Sequence, residues 1–462
     1  MSQSNTTAQD WEIESFGPAQ IPNPCPCVSY VEDDVCLLLD PRIHTHHTES
    51  RSPDIATIPT CIERAGPRKE IFFNPKEVVA GVVTCGGLCP ALNNVIRAVV
   101  NCLHFRYGVK KVIGFRYGFE GLIPETSSII ELTPFVVRDI HQFGGSILGS
   151  SRGPQDIGKM VDYLVSLGVN VLFTLGGDGT QRGSRAIANE IHRRGLHISV
   201  VGVPKTIDND ISYVERTFGF ETAVEMAQAS IIAAHEEARS ARNGIGIVKL
   251  MGRESGFIAL QASLASGDVN LLLLPEMSFS MDAIVRFVLE RFTERSHCVI
   301  VVSEGAGQEL CAPASGLGKD ISGNHIFADI GQWLKKELGN RLKQLDVEHT
   351  IKYIDPSYAI RSAVAISSDA VFALQLGQMA VHAAMAGRTN MIVGCLHNQF
   401  VHVPISKATA FRKKVDIKGA AFQSFLDSSG MPVDLVQAHL GPPVASPRRT
   451  PTPAVDVPRA VV

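Results

Sequence analysis

The strongest constraint in this chain is a repeated pattern. A short apolar run breaks at glycine, proline or aspartate and gives way to helical periodicity. Val78–Thr84 ends at Gly86-Gly87, and Ala91–Phe105 then has a helical pattern. Lys111–Phe115 is a short apolar run, and Asn170–Leu175 ends at Gly176-Gly177-Asp178-Gly179-Thr180, followed by a helix from Gln181. Ile198–Val203 ends at Pro204, and a long amphipathic segment, Thr222–Arg242, precedes three further runs at Ile245–Leu250, Asn270–Leu274 and Cys298–Val302. Apolar runs of strand length alternating with helices predict an α/β fold, a parallel sheet covered by helices on both faces. Ligands of such sheets lie past the carboxyl ends of the strands. The residues just after each run are therefore the candidate site.

Those residues are chemically pointed. In Gly176–Thr180 the glycines let backbone N–H groups approach a polyphosphate, the next helix offers its positive N-terminus, and Asp178 supplies a hard oxygen for Mg²⁺. A tight turn capped by Asp178 or Thr180 would read the same, and NAD kinases and diacylglycerol kinases carry a similar segment. Pro204-Lys205-Thr206-Ile207-Asp208-Asn209-Asp210 packs two carboxylates, a lysine and a hydroxyl into seven residues. On an extended strand Asp208 and Asp210 would share a face; on an irregular loop they would diverge, one toward a hydroxyl and one toward a metal. Met251-Gly252-Arg253-Glu254-Ser255-Gly256, Ser303-Glu304-Gly305 and Ser151-Arg152-Gly153 each place a charged residue beside glycine in a loop. Each alone reads equally as a helix start, a loop cap or a surface arginine. Together they supply a phosphate cradle, a metal carboxylate, a base and cations, the parts that phosphoryl transfer needs.

The bulk of the chain fits this reading. At 462 residues there is room for two or three domains, and a net charge of −3 gives no basis for a nucleic-acid partner. No apolar run reaches ~18 residues, so no membrane span is expected. The ten cysteines lack paired zinc spacing and read as free thiols of a reducing compartment. The first forty residues contain no Lys or Arg and lack an apolar core, which argues against a signal or transit peptide and for the cytosol. Residues 1–75 read as an extension with little structure of its own, wrapping the core; its His44, His46 and His47 fit a solvated loop better than a metal site. The proline-rich tail from about Gly441 reads as disordered.

The ordered set Thr84–Pro90, Gly149-Ser150-Ser151-Arg152, GGDGT, PKTIDND, MGRESGF and Ser303-Glu304-Gly305 resembles the 6-phosphofructokinases over about residues 62 to 410. Glu63-Arg64-Ala65-Gly66-Pro67-Arg68 and Tyr353–Tyr358 are similar to the longer ATP-dependent branch of plants and protists. The resemblance implies two Rossmann-like lobes with the site in the cleft between them. Residues 76–219 with 360–410 would form the nucleotide lobe, 220–359 the sugar-phosphate lobe, and 411–462 a partly disordered C-terminal segment. It implies ATP and fructose 6-phosphate as substrates, Mg²⁺ as cofactor, and a homo-oligomer, usually a tetramer. Asp208 would be the general base toward the sugar 1-hydroxyl, and Asp178 would hold Mg²⁺ with Asp210 assisting. Gly86, Arg152, Gly153, Gly177, Asp178, Gly179 and Thr180 would contact ATP, and Arg152 and Arg253 would stabilise transition-state charge. Thr206, Ile207, Asp208, Met251, Gly252, Arg253 and Glu304 would hold the sugar. Lys352, Tyr358 and Arg361, with Ala359 and Ile360 between the last two, would grip its 6-phosphate.

Departures from the short bacterial pattern are Leu88 for aspartate, Ala91 for glycine, Gly244 for an arginine that reaches a neighbouring subunit, and Asn101 for one of two effector-site arginines, the other kept as Arg97. Effector control is therefore not carried over. Gly179 and Lys205 bear on the phosphoryl donor. Pyrophosphate-dependent relatives carry a second aspartate at the first position, where glycine leaves room for the α-phosphate of a nucleotide, whereas Lys205 is shared with them. The long ATP-dependent branch combines both. The alternatives are a pyrophosphate-dependent enzyme and a non-catalytic regulatory subunit, the second disfavoured by the presence of Asp208, Asp178 and Arg253.

Overall fold

The computed structural model describes residues 11–26, 29–41, 60–312, 317–319 and 325–435. His44, His46, His47 and the tail from Gly441 lie outside the described residues.

Two sheets organise the chain. Their strands are β1 (Val79–Thr84), β2 (Lys111–Phe115), β3 (Ile129–Glu131), β4 (Val171–Gly176), β5 (Ser199–Pro204), β6 (Gly244–Leu250), β7 (Leu271–Leu273), β8 (His297–Ser303), β9 (Thr350–Ile354), β10 (Met391–Leu396) and β11 (Gln399–Pro404). The larger sheet has seven strands in the order β11-β10-β5-β4-β1-β2-β3; its two edge strands, β3 and β11, run antiparallel and the rest parallel. The smaller sheet, β7-β8-β6-β9, is wholly parallel. All six residues of β4 and of β5 are buried, as strands covered on both faces must be.

The helices α1 (Leu92–Cys102), α2 (Ile157–Ser166), α3 (Asp178–Arg193), α4 (Phe220–Arg239), α5 (Phe257–Ser266), α6 (Met281–Glu294), α7 (Ile330–Gln344), α8 (Ser357–Arg361), α9 (Ser367–Met385) and α10 (Ala420–Ser429) cover the sheets. Helix α1 packs along α9 beside the larger sheet, and α4 lies on β6 and β8 of the smaller one. The fully buried Val171, Leu172, Phe173 and Leu175 of β4 each contribute about 1.5–3 kcal/mol by leaving water.

The segment before β1 has more structure than its composition suggests. Ile21–Pro22 pairs with Glu70–Ile71, and Cys36–Leu38 pairs with Cys61–Glu63, both antiparallel. Trp11 is buried among Ile211, Val401 and Val403, so the segment does wrap the core. A charged hub fastens it. Glu63 Oε1 accepts from Arg68 Nη2, Arg388 Nε and His402 Nδ1, each at 3.0 Å, and Asp33 pairs with both arginines. The glutamate and buried arginine of the Glu63–Arg68 motif are thus structural. At the other end, the described residues after β11 include α10, which packs on α5.

Candidate active site

The segments that leave the carboxyl ends of β1, β4, β5, β6 and β8 contain most of the residues singled out from sequence; Arg152 and Gly153 lie in the loop before α2, Lys352 within β9 and Tyr358–Arg361 on α8. After β5 the chain turns through an irregular loop in which Asn209 is left-handed, with φ at 54°. Its side chain is pinned by Glu215 O and Thr217 Oγ1. This turn breaks the two-residue alternation, so Asp208 and Asp210 part company. Asp210 accepts from Thr206 Oγ1 at 2.7 Å, while Asp208 Oδ1 is sealed from solvent with no hydrogen-bond partner among the described residues. Burial, together with the charges of Asp210 and Glu304, pushes the Asp208 carboxyl up to about 7, against the pull of Arg361 and Arg412. An acceptor held dry and unpaired is poised for a hydroxyl proton.

Lys205, also buried, donates from Nζ to Gly87 O at 2.7 Å, and burial pushes its ammonium down. It thereby ties the β5 loop to the Gly86-Gly87 turn. Gly86 has φ +84°, and Arg152 Nη2 lies 3.4 Å from where a Gly87 Cβ would sit. Gly86 N in turn bonds Ser151 O at 3.1 Å, which brings the loop of Arg152 and Gly153 alongside. Across the sheet, α3 begins at Asp178 with Gly177 before it. A Cβ on Gly179 would meet no atom within 4 Å, so the first turn of α3 presents open space. Thr180 packs beneath Gly176.

Asp178 and Asp210 supply hard carboxylate oxygens near one guanidinium: Arg412 Nη2 is 3.9 Å from Asp178 Oδ2, and Arg412 Nη1 is 3.6 Å from Asp210 Oδ2. Burial pushes the Asp178 carboxyl up, opposed by Arg182 and Arg412. One half-buried and one buried carboxylate with this cationic company fit Mg²⁺ with phosphate.

From the smaller sheet, Gly252 adopts φ +126°, which a side chain would strain, and its carbonyl accepts from Gly305 N at 3.1 Å. A side chain on Gly305 would run into the Arg253 carbonyl, so the loops after β6 and β8 clasp each other. This sets Met251, Arg253 and Glu304 on one edge. Arg361 Nε reaches Met251 Sδ at 3.3 Å and acts electrostatically on Asp208, which brings α8 to the site. Ile207 is buried beneath it, as is Ile360 on α8.

Other expected residues stand apart. Arg253 Nη2 donates to His325 O at 2.5 Å and its guanidinium lies 4.6 Å from the Phe327 ring centroid, away from the carboxylates. Tyr358 is 84% exposed, and Ala359 beside it is exposed too. Lys352 sits opposite Gly246, four residues before β6 ends at Leu250, and pairs with Glu237. Gly244 opens β6 at the end remote from Met251, where a Cβ would meet the Ala238 carbonyl. An arginine there is sterically excluded.

Sequence reading missed Arg412. It follows the larger sheet in a stretch assigned to a C-terminal segment, and its only local signal was the basic triplet Arg412-Lys413-Lys414. It also missed Glu276, whose Oε1 accepts from Gly256 N at 3.0 Å and Val415 N at 2.8 Å, joining the MGRESG loop to the same segment.

A family model described as phosphofructokinase matches residues 79–384. The ATP-dependent 6-phosphofructokinase of Entamoeba histolytica is 51% identical over 78% of this chain and 83% of its own length. That of Borreliella burgdorferi is 47% identical over 81% and 86%. Among solved structures, a pyrophosphate-dependent phosphofructokinase from Marinobacter aquaeolei superposes with a TM-score of 0.64, covering 80% of this chain and 94% of that one, at 21% identity. The fold is shared even where sequence has diverged, and with the match extending over most of its length the chain belongs to the phosphofructokinase family.

Proposed function

We propose that the chain is an ATP-dependent 6-phosphofructokinase of glycolysis, transferring the γ-phosphoryl group of ATP to the 1-hydroxyl of fructose 6-phosphate to give fructose 1,6-bisphosphate and ADP. The observation that carries this reading is the dry, unpartnered Oδ1 of Asp208 at the end of β5. The sugar 1-hydroxyl donates to that oxygen and passes its proton there as its own oxygen attacks phosphorus. Asp178 would hold Mg²⁺ with Asp210 beside it; the ion, when bound, supplies neutralising charge to the phosphates. Lys205 and Arg152 line the Gly86-Gly87 turn and would meet the polyphosphate, whose nucleotide end takes the open space at Gly179. Met251, Gly252, Arg253 and Glu304 would bind the sugar. Arg253 then exchanges its contacts with His325 and Phe327 for the transition state by a rotamer change. The 6-phosphate falls to Arg361, with Tyr358 and Lys352 recruited from positions now remote.

The larger sheet (residues 76–219 with 360–410) is assigned to the nucleotide, and the smaller (220–359) to the sugar. A cytosolic homo-oligomer, a tetramer, is the assembly proposed. Among the described residues no helix is long and apolar enough to cross a membrane.

The test is turnover of purified protein with fructose 6-phosphate and Mg²⁺, comparing ATP with pyrophosphate. ATP alone as donor supports the reading and assigns donor choice to Gly179 over Lys205. Use of pyrophosphate overturns that assignment. Activity with neither returns the chain to a regulatory role.

A further inference from the structure

Arg412 is bolted in place. Residues Ile211 and Arg412 form an antiparallel bridge, Lys413 N donates to Asp210 O at 2.8 Å, and Ser212 Oγ bonds Phe411 O. Lys413 Nζ adds a bond to Val214 O at 2.7 Å. The chain on either side of Arg412 is thus stitched to the loop that holds the catalytic carboxylates. Its guanidinium, three-quarters buried, faces three acids at once: Glu254 at 3.4 Å, Asp210 at 3.6 Å and Asp178 at 3.9 Å. These separations are long for ion pairs made for their own sake, which close to about 2.7–2.9 Å. Arg182 Nη2 reaches Asp178 at 3.1 Å as well, but that side chain is 63% exposed and screened by water.

We propose that Arg412 is a positioning residue that serves as a resident counter-ion for Asp178 and Asp210, keeping bare divalent cations off these carboxylates so that metal enters together with a polyphosphate. The inference rests on the reading above of Asp178 as the Mg²⁺ ligand. A bare dication approaching these carboxylates meets the fixed Arg412 guanidinium already among them, and that like charge weakens its hold. A metal–polyphosphate complex brings its own negative oxygens, to which Arg412 can turn while the carboxylates take the metal. One fixed cation thus makes metal and nucleotide arrive as a unit, and would keep the acid pair from being occupied by free Mg²⁺ between turnovers.

The experiment measures Mn²⁺ binding to the full-length protein without nucleotide, by electron paramagnetic resonance of the free ion. Arg412→Gln is expected to bind Mn²⁺ about tenfold tighter or more, since a unit charge a few ångströms from a partly buried site acts through a low effective dielectric. Arg412→Lys, which keeps the charge, should remain within about threefold of wild type. A glutamine variant with unchanged or weaker Mn²⁺ binding overturns the proposal and leaves Arg412 as a structural pin. So does a lysine variant that behaves as the glutamine one. Should Arg412→Gln fail to fold, as judged by circular dichroism and fructose 6-phosphate binding, Arg412→Met keeps the apolar stem and answers the same question. Failure of the wild type to turn over ATP would sink the functional reading while leaving the Mn²⁺ comparison valid, so the two failures are distinguishable.

Discussion

Replacing Glu63 by glutamine tests whether the N-terminal segment is held on by one buried charge. Burial pushes the Glu63 carboxyl up, but the His402 hydrogen bond and the Arg388 and Arg68 guanidinium groups overcome it and hold the group down at about 2, against an ordinary 4.5. By linkage such a difference is worth about 3 kcal/mol at neutral pH. Some of that is discounted, because burial pushes His402 down and it therefore donates as a neutral imidazole. Asp33 continues to pair with both arginines in the variant. A loss of about 2 kcal/mol is expected for Glu63→Gln at pH 7. The sign follows from the depressed carboxyl: its contribution is fully present above about 4.5 and is lost as pH falls toward 2. The gap between wild type and variant should thus be constant from pH 7 to 5.5 and narrow measurably by pH 3.5–4. Urea denaturation followed by the fluorescence of Trp11, buried on this face, and Trp333 reads it out. A gap below about 0.5 kcal/mol at pH 7, or one that widens in acid, refutes the hub as a source of stability.

Three further outcomes follow from the site. Gly179→Asp meets no steric obstacle and no left-handed backbone, so the fold should survive while the KM for ATP rises at least tenfold; unchanged ATP kinetics would remove Gly179 as the donor determinant. Because burial, Asp210 and Glu304 hold the Asp208 carboxyl near 7, and only its ionised form accepts a proton, kcat/KM for fructose 6-phosphate should fall on the acid side of about pH 7. A limb at about 4 instead would mean the base is an ordinary exposed aspartate. Ala91 sits at φ 71°, a conformation that costs a residue bearing a Cβ roughly 1 kcal/mol, so Ala91→Gly should raise the melting temperature or leave it level; a clear fall would show that Cβ packing outweighs backbone strain.

How much of this was legible beforehand follows from how local each cause is. The parallel strands β1, β4, β5, β6 and β8 were readable because a strand buried on both faces must be apolar throughout, and the loops after them because glycine, proline and paired carboxylates interrupt that run. Four other strands were not. β3 and β9 lie half in solvent, β10 takes its place by pairing with β5, some 190 residues earlier, and β11 pairs only with β10. Within the site, Asp208, Lys205 and Gly252 were found because their chemistry is written in adjacent residues. Arg412 was missed because its role comes from a bridge to Ile211 across two hundred residues, which no spacing rule reveals. Tyr358 and Lys352 show the converse: a motif names the residues without saying where the free chain places them. Even the divergence of Asp208 from Asp210 depended on one left-handed residue, Asn209, whose tolerance for that conformation permitted it without dictating it.

The late arrival of β10 has a consequence for synthesis. As the chain leaves the ribosome, β5 completes its pairing with β4 but keeps its other flank open until residues 391–404 emerge, because its remaining partner is encoded near the far end of the message. Meanwhile the four strands of the smaller sheet all lie between residues 244 and 354 and can pair with one another, with only the packing of α10 on α5 still to come. The smaller sheet can therefore close before the larger one, whose Val200, Val201 and Val203 backbone on the open flank of β5 would be available to neighbouring nascent chains until β10 emerges. Truncations that stop short of residue 391 should need chaperones to stay in solution, whereas a fragment covering the smaller sheet should not.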